Sequence, residues 1–307
     1  MQNLAEVIRG KLKSKARHWG VGPDIVYSRW VMERFLHRLS RSPYADQFAL
    51  KGGLLFIVWE DNWLRPTRDV DLEGFDEGYS SRMAEIVAQV AAEPPAEPDG
   101  VIYEVESLRT QRLIGGRIPG DRVILSARLS SAVVRLKVDT GFCHPITPAT
   151  ELLDYPSMLK GYTPTTLLCC PREMMLAEKL ATIVEFGADN TRVRDYYDIC
   201  SLANRHQFDG SALLRAIQTT FSQRDAGAFL SRTDGYWEAG LTAEFATGRI
   251  SKTWQNWTGQ QPAAARPPSF VEIVDRVREF GLPLLSAARS GDPSLGIWHP
   301  ECGWNPR

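Results

Sequence analysis

Three aspartates have a spacing that could support metal-dependent chemistry on phosphates. Asp69 and Asp71 lie two residues apart, and Asp139 ends an alternating apolar segment, residues 133–138. In a strand, residues two apart face the same side, about 6.6 Å apart along the chain, and two such carboxylates repel unless a hard cation lies between them. If the strands are neighbours, the cluster predicts two Mg²⁺ ions about 3.5–4 Å apart, an arrangement that supports in-line phosphoryl transfer. An isolated Asp-x-Asp pair also occurs by chance on solvated strand edges, so its surroundings decide between the two interpretations.

A glycine turn precedes this pair. Lys51-Gly52-Gly53 follows a short apolar run and lies 16 residues upstream, counted from Gly53 to Asp69. Glycines let a phosphate approach the backbone, the start of the next helix offers unpaired N–H groups to an anion, and Lys51 adds a full charge. The turn matches neither GxxxxGK[ST] nor GxGxxG. The sequence therefore predicts a phosphate-binding turn, with a plain strand-to-helix turn as the alternative.

A lysine interrupts the apolar stripe of a later helix. Lys179 lies four residues after Met175 and four before Ile183. Such a lysine extends its ammonium group to solvent, pairs with an acid, or meets a ligand, here a triphosphate. Asp195 opens the next helix, where a helix-dipole role would suffice on its own; the functional interpretation has Asp195 and Arg194 face Lys179 across a cleft. Replacing Lys179 with Met is then expected to lower activity while thermal stability holds or rises.

The elements that must position these residues alternate between helix and strand. Two amphipathic helices come first, strand patterns and a Gly-Gly turn follow, and helical periodicity returns beyond Pro171. This order predicts an α+β fold with a mixed sheet and a helical C-terminal domain. The predicted divisions are N-terminal helices (1–46), the core (47–145), a helical domain (146–257), and a linker with a C-terminal extension (258–307).

Composition narrows the class of protein. The 307 residues are 43% hydrophobic and 24% charged with a net charge of −1, which is ordinary for a globular protein. No apolar run approaches the roughly 20 residues of a membrane span, and the N-terminus lacks the apolar region of a signal peptide. The five cysteines show no zinc or disulfide spacing and are expected to be reduced thiols. We therefore expect a soluble, cytoplasmic protein with no membrane partner.

Any contact with a polyanion must come from local basic patches, since the bulk charge is near zero. Two helices offer candidates, with an ordinary solvated helix face as the alternative. The candidate residues are Arg9, Lys11, Lys13, Lys15 and Arg17 on the first helix, and Arg29, Arg34, Arg38 and Arg41 on and just after the second.

Taken together, the ordered motifs resemble a known family. The segments FALKGGLLF, RPTRDVDL, RLKVD, LAEKLATI and RVRDYYDI are similar to those of the AbiEii/AbiGii toxin family of nucleotidyltransferases, over roughly residues 1–255. The resemblance implies a DNA polymerase β-like nucleotidyltransferase core with a helical C-terminal domain. It also implies Mg²⁺-dependent transfer of NMP from NTP, a toxin–antitoxin or phage-defence module, and an antitoxin encoded nearby. Some relatives modify tRNA 3′ ends, so the resemblance implies an RNA acceptor, the 3′ end of a tRNA, as the expected partner.

The resemblance also implies roles for individual residues. Lys51, Asp69, Lys179 and Asp195 match the family's essential positions, and Asp71 and Asp139 complete the metal cluster. Thr67 matches a hydroxyl that some relatives have phosphorylated, and Arg194 stands where the family often has lysine. The residues expected to bind the nucleotide are Lys51, Gly52, Gly53, Arg65, Thr67 and Arg194.

Two other functions use the same motifs. A small-molecule nucleotidyltransferase, of the kind that modifies antibiotics, would share the metal site but need an acidic pocket for a cationic acceptor. A nucleotide-binding regulator would bind without turnover and would not need three carboxylates. Comparing nucleotide binding by an Asp69→Ala variant with turnover by the intact protein discriminates the enzyme from the regulator.

Overall fold

The strands between residues 48 and 169 form one seven-stranded sheet, which confirms the predicted mixed sheet and adds two strands that the sequence did not predict. A computed structural model describes residues 4–113, 120–142, 146–224, 226–259, 261, 267–292 and 294–305. The sheet order is β3-β4-β5-β2-β1-β7-β6, with β2 parallel to β5, β1 parallel to β7, and the other neighbours antiparallel. The strands are β1 (Phe48–Lys51), β2 (Val70–Gly74), β3 (Val101–Leu113), β4 (Gly120–Leu129), β5 (Ala132–Gly141), β6 (Glu151–Tyr155) and β7 (Thr165–Cys169).

One face of the β3–β5 part of this sheet packs against helices, and the other is open. Apolar side chains alternate along β4 and β5, so that Val123, Leu125, Leu136 and Val138 are buried while Val133 is 70% exposed. Three helices contact these strands on the covered face. The helices of this unit are α1 (Leu4–Trp19), α2 (Pro23–Leu39), α3 (Leu55–Glu60) and α4 (Met83–Ala92).

The second helix, α2, is buried on its polar side as well as on its apolar side. Every residue from Arg29 to Leu39 is buried, which corrects the prediction that Arg29, Arg34 and Arg38 contact RNA. Arg38 pairs with Asp99 at 3.3 Å. Segments distant in the sequence cover the polar side of α2, so its arginines are internal charges. Arg41 stays exposed, as do Lys11, Lys13 and Arg17 of α1.

Glu33 on α2 forms a buried ion pair within the helix and also binds the segment between β6 and β7. Arg34 pairs with the adjacent Glu33 at 2.6 Å, and both side chains are at most 1% exposed. Glu33 also accepts hydrogen bonds from the Ser157 hydroxyl at 2.7 Å and from the Met158 main-chain N–H at 2.9 Å. Glu33 therefore neutralises a buried guanidinium and anchors a distant loop with the same carboxylate.

Replacing Glu33 with Gln is expected to lower the free energy of unfolding by about 3–5 kcal/mol, since it leaves Arg34 buried without its charge partner. Urea unfolding followed by circular dichroism measures this change. The matched control is Glu85→Gln, because Glu85 pairs with Arg82 at a site where both side chains are about half exposed, and we expect no measurable change there. A loss below about 1 kcal/mol for Glu33→Gln would contradict the assigned role.

The chain divides into two compact units at a place that differs from the prediction. The first unit comprises residues 1–144 and 150–170, and the second comprises 145–149 and 171–307. The sequence placed residues 146–170 in the helical domain, but β7 pairs with β1 and β6 pairs with β7. Because these pairings add two strands to the sheet, the segment belongs to the first unit.

The second unit is helical, as predicted, and includes the C-terminal extension. The long helix Phe270–Ser290 packs on other helices of this unit, and the indole N–H of the fully buried Trp298 donates to the main-chain oxygen of Ala203 at 2.7 Å. Residues 267–305 are therefore integral to this unit rather than appended to it, as far as they are described. Its elements are α5 (Arg172–Phe186), α6 (Val193–Arg205), β8 (Phe208–Asp209), α7 (Gly210–Gln223), α8 (Ala226–Leu230), α9 (Ala243–Thr247), α10 (Ile250–Thr258), α11 (Phe270–Ser290), β9 (Ile297–His299) and β10 (Gly303–Asn305).

Two compositional expectations can be compared with the fold. No helix in the described part of the chain is long and apolar enough to span a bilayer. Cys169, Cys170, Cys200 and Cys302 are free thiols, in agreement with the sequence, and Cys143 lies outside the described residues.

Candidate active site

Strand register brings the three predicted aspartates to one face of the sheet. In the parallel β2–β5 pair, Asp71 lies directly opposite Asp139. Asp69 precedes β2 by one residue and falls on the same side as Asp71, because side chains alternate along an extended chain. The Arg122 guanidinium reaches both Asp139 and Asp69, which places these two carboxylates within the span of one side chain.

Two cations from the neighbouring strands contact these carboxylates. Arg122 is the register partner of Asp139 across β4 and β5, and it donates from Nε and Nη2 to the two Asp139 oxygens at 2.7 and 2.6 Å. It also lies 3.6 Å from an Asp69 oxygen, and the Lys137 ammonium lies 3.4 Å from the other. Our sequence reasoning missed both cations. Lys137 could have been found from its position two residues before Asp139, whereas Arg122 required the register of β4.

The electrostatics of Asp71 reflect this concentration of acid groups. Burial, together with the negative charges of Asp139 and Asp69, raises the pKa of Asp71 to about 7, although Lys51 and Arg65 oppose the shift. Hydrogen bonding to Asp139 in turn raises the pKa of Arg122 above its ordinary value. Asp71 is therefore harder to ionise than an exposed aspartate.

The donor set fits a hard divalent cation in part. Asp69 and Asp71 offer carboxylate oxygens, the ligands that Mg²⁺ prefers, and the buried Oδ1 of Asp69 accepts no hydrogen bond. Asp139 has both oxygens engaged by Arg122. In the described residues, no group of three or more His, Cys, Asp or Glu side chains is arranged to hold an ion as it stands. Arg122 therefore already contacts the two Asp139 oxygens that a three-carboxylate site would use.

The two glycines after β1 allow close approach by the site's own side chains. Gly52 has φ +72°, and a Cβ there would lie 2.2 Å from a carboxylate oxygen of Asp71. A Cβ on Gly53 would lie 2.0 Å from Nη1 of Arg65 and 2.8 Å from the Thr67 hydroxyl. The following α3 has only six residues and is preceded by a 3₁₀ turn, so the predicted helix-end cradle for phosphate has little dipole behind it. Packing against Asp71, Arg65 and Thr67 accounts for both glycines.

Lys51 points at a carboxylate that the sequence analysis did not single out. Its ammonium lies 2.5 Å from Oε2 of Glu73, which is completely buried. Glu73 is two residues after Asp71 and continues the same alternation. Lys51 is also the register partner of Asp71 in β1 and β2. Lys51 therefore neutralises Glu73 beside the aspartates, and this ion pair fixes the position of the Lys51 ammonium.

Arg65 and Thr67 lie in the segment that leads into Asp69. The Thr67 hydroxyl donates to the main-chain oxygen of Asp69 at 3.4 Å, and the Arg65 guanidinium lies 4.7 Å from the centre of the Phe56 ring. The main-chain oxygen of Arg65 accepts a hydrogen bond from the buried Arg29. Arg29 was predicted to contact RNA, but it is buried and holds this segment instead.

A second cluster of charges lies within the second unit. Lys179 on α5 contacts both Asp195 and Asp198 on α6 at 2.7 Å, and the two carboxylates are 4% and 1% exposed. The pairing of Lys179 with Asp195 agrees with the prediction, but both residues are on neighbouring helices of one unit and not on opposite sides of a cleft. Asp198 was not given a role from the sequence. It lies three residues after Asp195, on the same face of the helix.

A nucleotide-binding role was predicted for Arg194, and none was predicted for the nearby Arg192. Arg192 contacts Asp195 at 2.7 Å, whereas Arg194 is exposed. Burial opposes ionisation of Asp195, but Lys179 and Arg192 outweigh it and hold the pKa of Asp195 below its ordinary value. Asp195 therefore stays charged at neutral pH, and Lys179 is held between two carboxylates.

The chain matches the sequence model of one protein family and is similar to two solved structures. Residues 34–276 match the sequence model of a family described as nucleotidyl transferase AbiEii toxin, Type IV TA system. One similar solved structure is described as a nucleotidyltransferase from H. pylori (12% identity, TM-score 0.49), with 88% of this chain and 97% of that chain covered. Another is JHP933 from Helicobacter pylori (13% identity, TM-score 0.49), with 87% and 92% covered. No curated protein matches significantly.

Proposed function

The chain belongs to the AbiEii family of nucleotidyl transferase toxins, and on this premise we propose that it transfers a nucleoside monophosphate from an NTP to the 3′ end of an RNA, with tRNA as the acceptor. The observation that carries the proposal is the β2–β5 register, which sets Asp71 opposite Asp139 with Asp69 on the same side. The family membership supplies the reaction class, and these carboxylates supply a place for it. The type IV system named for the family also leads us to propose an antitoxin partner.

We assign the metal to the same three aspartates. Mg²⁺ held by Asp69, Asp71 and Asp139 would lower the pKa of the acceptor hydroxyl and neutralise charge developing on the phosphate. The chain's own contribution is a set of preplaced cations around those carboxylates. Lys51 at the end of β1 and Arg65 in the segment before Asp69 both act to lower the pKa of Asp71, and both would stabilise negative charge on a bound triphosphate.

Lys179 and Asp195 remain proposed essential residues because they match the family's motifs. The structure supports a defined pair, in which the ammonium of Lys179 contacts Asp195 at 2.7 Å and remains 13% exposed. We propose that Asp195 orients Lys179, so that its ammonium is presented in one geometry.

The open face of β3–β5 supports an RNA acceptor over a cationic small molecule. Register places Arg109 and Lys137 in one row across the sheet, and Arg122 with Asp139 in the next. Ser126 and Arg135 lie in a further row. A cationic drug needs an acidic pocket, whereas basic side chains beside the aspartates suit a phosphate backbone. The cations of this open face are Arg109, Arg122, Arg128, Arg135 and Lys137.

Radiolabelled α-phosphate tests the function directly. Each NTP is incubated with the protein and tRNA, with a metabolite extract, or with protein alone, in Mg²⁺ or EDTA. We expect label at the RNA 3′ end in Mg²⁺ and none with the Asp69→Ala variant. Label confined to a small molecule supports the antibiotic-type alternative, and NTP binding without any transfer supports the regulator.

Arg135→Gln tests the open face. Arg135 is exposed and contributes a charge without lining the aspartates, so we expect the KM for RNA to rise about 3- to 10-fold and the salt slope of binding to fall by about 1. The KM for NTP should not change. The control is Arg82→Gln, an exposed arginine already paired with Glu85 on α4. Equal RNA binding by the two variants would rule out the open face as the RNA track.

A further inference from the structure

Arg122 holds the carboxylate that the metal site needs. It donates two parallel hydrogen bonds to the two oxygens of Asp139, at 2.7 and 2.6 Å, and it reaches an Asp69 oxygen at 3.6 Å. Such a bidentate pair is the strongest geometry available to an arginine. Arg122 itself is 25% exposed, so it is free to move toward solvent. A side chain that merely filled the core would not be exposed in this way.

A divalent cation and this guanidinium compete for the same oxygens. The arginine fork engages both oxygens of the carboxylate, and a hard cation also demands carboxylate oxygens. Two positive groups a few ångströms apart also repel each other, more strongly in a half-buried setting than in water. Lys137 lies against Asp69 at 3.4 Å, but without a hydrogen bond to Oδ1. Arg122 is therefore the stronger of the two competing cations.

We propose that Arg122 is an internal counter-ion that occupies Asp139 until a divalent cation displaces it, and that the released guanidinium then binds the phosphates of the incoming NTP. The inference rests on the proposed function and goes beyond it, because it makes metal binding and nucleotide binding mutually dependent. The ion frees Arg122, and the triphosphate provides the anion that Arg122 has lost. Each ligand then strengthens the binding of the other by the same factor.

Mn²⁺ binding to the intact protein tests the proposal without relying on activity. Free Mn²⁺ is followed by electron paramagnetic resonance, with and without each α,β-methylene NTP tested separately. For the wild type we expect weak Mn²⁺ binding that tightens at least about 10-fold with the analogue that fits. Arg122→Gln should bind Mn²⁺ at least about 10-fold more tightly than the wild type without analogue, and the analogue should add little further.

Two further variants make the outcome specific. Arg128→Gln is the matched control, because Arg128 lies on the same strand and face but pairs with Glu104 away from the aspartates, so its Mn²⁺ affinity should equal that of the wild type. Arg122→Lys keeps the charge without the fork and should fall between wild type and Arg122→Gln. It also serves as the test variant if Arg122→Gln does not fold.

The results separate this inference from the proposed function. If Asp69→Asn binds Mn²⁺ as well as the wild type, the metal site of the proposed function is wrong. If Asp69→Asn loses Mn²⁺ but Arg122→Gln and Arg122→Lys bind it no more tightly than wild type, only the counter-ion role of Arg122 is overturned.

Discussion

Asp69→Asn is expected to lower the rate of nucleotide transfer by at least about 10³-fold, a loss of about 4 kcal/mol of transition-state stabilisation. The replacement keeps the shape of the side chain and removes its negative charge. Asp69 lies on the same side of the extended chain as Asp71, whose register partner is Asp139, and its Oδ1 accepts no hydrogen bond. Removing this charge is therefore expected to weaken cation binding without breaking an internal hydrogen bond of Oδ1.

The stability of Asp69→Asn should remain close to that of the wild type. Asp69 is 29% exposed, and its two ion contacts are long, at 3.4 Å to Lys137 and 3.6 Å to Arg122. Long, partly exposed contacts contribute less than about 1 kcal/mol. Thermal unfolding and single-turnover kinetics on the same preparation measure the two effects.

Asp121→Asn is the control for this variant. Asp121 adjoins Arg122 on β4 but accepts a hydrogen bond from Ser80 at 2.8 Å and alternates to the other side of the strand. We expect its transfer rate to stay within about threefold of the wild type. If Asp69→Asn keeps more than a tenth of wild-type activity, Asp69 does not hold the metal on which the reaction depends.

Lys179→Met is expected to lower the free energy of unfolding by about 3–5 kcal/mol, which reverses the sequence-based expectation that stability would hold or rise. That expectation placed the Lys179 ammonium in a cleft near Asp195, where it would neutralise a triphosphate oxygen. The structure instead pairs it with two carboxylates, Asp195 and Asp198, that are almost completely buried. Removing the ammonium leaves Asp198 without this partner and Asp195 with Arg192, which is itself 63% exposed.

The two carboxylates separate a catalytic role of Lys179 from a structural one. Asp195→Asn and Asp198→Asn each remove one charge that contacts Lys179 at the same distance, 2.7 Å. Only Asp195 matches the family motif, so we expect Asp195→Asn to lower kcat by at least about 100-fold and Asp198→Asn to lower it less than 10-fold. Both variants are compared at a temperature where each is fully folded. Equal losses of kcat would assign the whole cluster a structural role.

Local periodicity was sufficient to predict the placement of several residues of the candidate site. The two-residue spacing of Asp69 and Asp71 sets both side chains on one face of any extended strand, whatever lies beside it. Helical periodicity likewise places Lys179 among apolar neighbours, and the need to neutralise it made Asp195 a reasonable partner. The α+β order of elements and the family resemblance followed from the same short-range patterns.

Partners from distant parts of the chain were not predictable in this way. The bidentate contact of Arg122 with Asp139 depends on the register of β4 against β5, and register is set by the pairing as a whole. The burial of Arg29, Arg34 and Arg38 depends on segments near residues 99 and 157 that cover α2. A helical pattern shows which side of α2 is polar, but not whether another segment covers that side.

The sequence by itself therefore selected the residues proposed to carry the chemistry, because residue type and spacing along one strand or helix are local properties. Only the tertiary structure decided which charges meet. It pairs Asp139 with Arg122, Glu73 with Lys51, and Asp195 with Arg192 as well as with Lys179. It also moved residues 150–170 into the first unit by pairing β7 with β1. The physical reason is that charge pairing and strand pairing require residues to be close in space. Segments that are far apart in the sequence come close only when the chain folds.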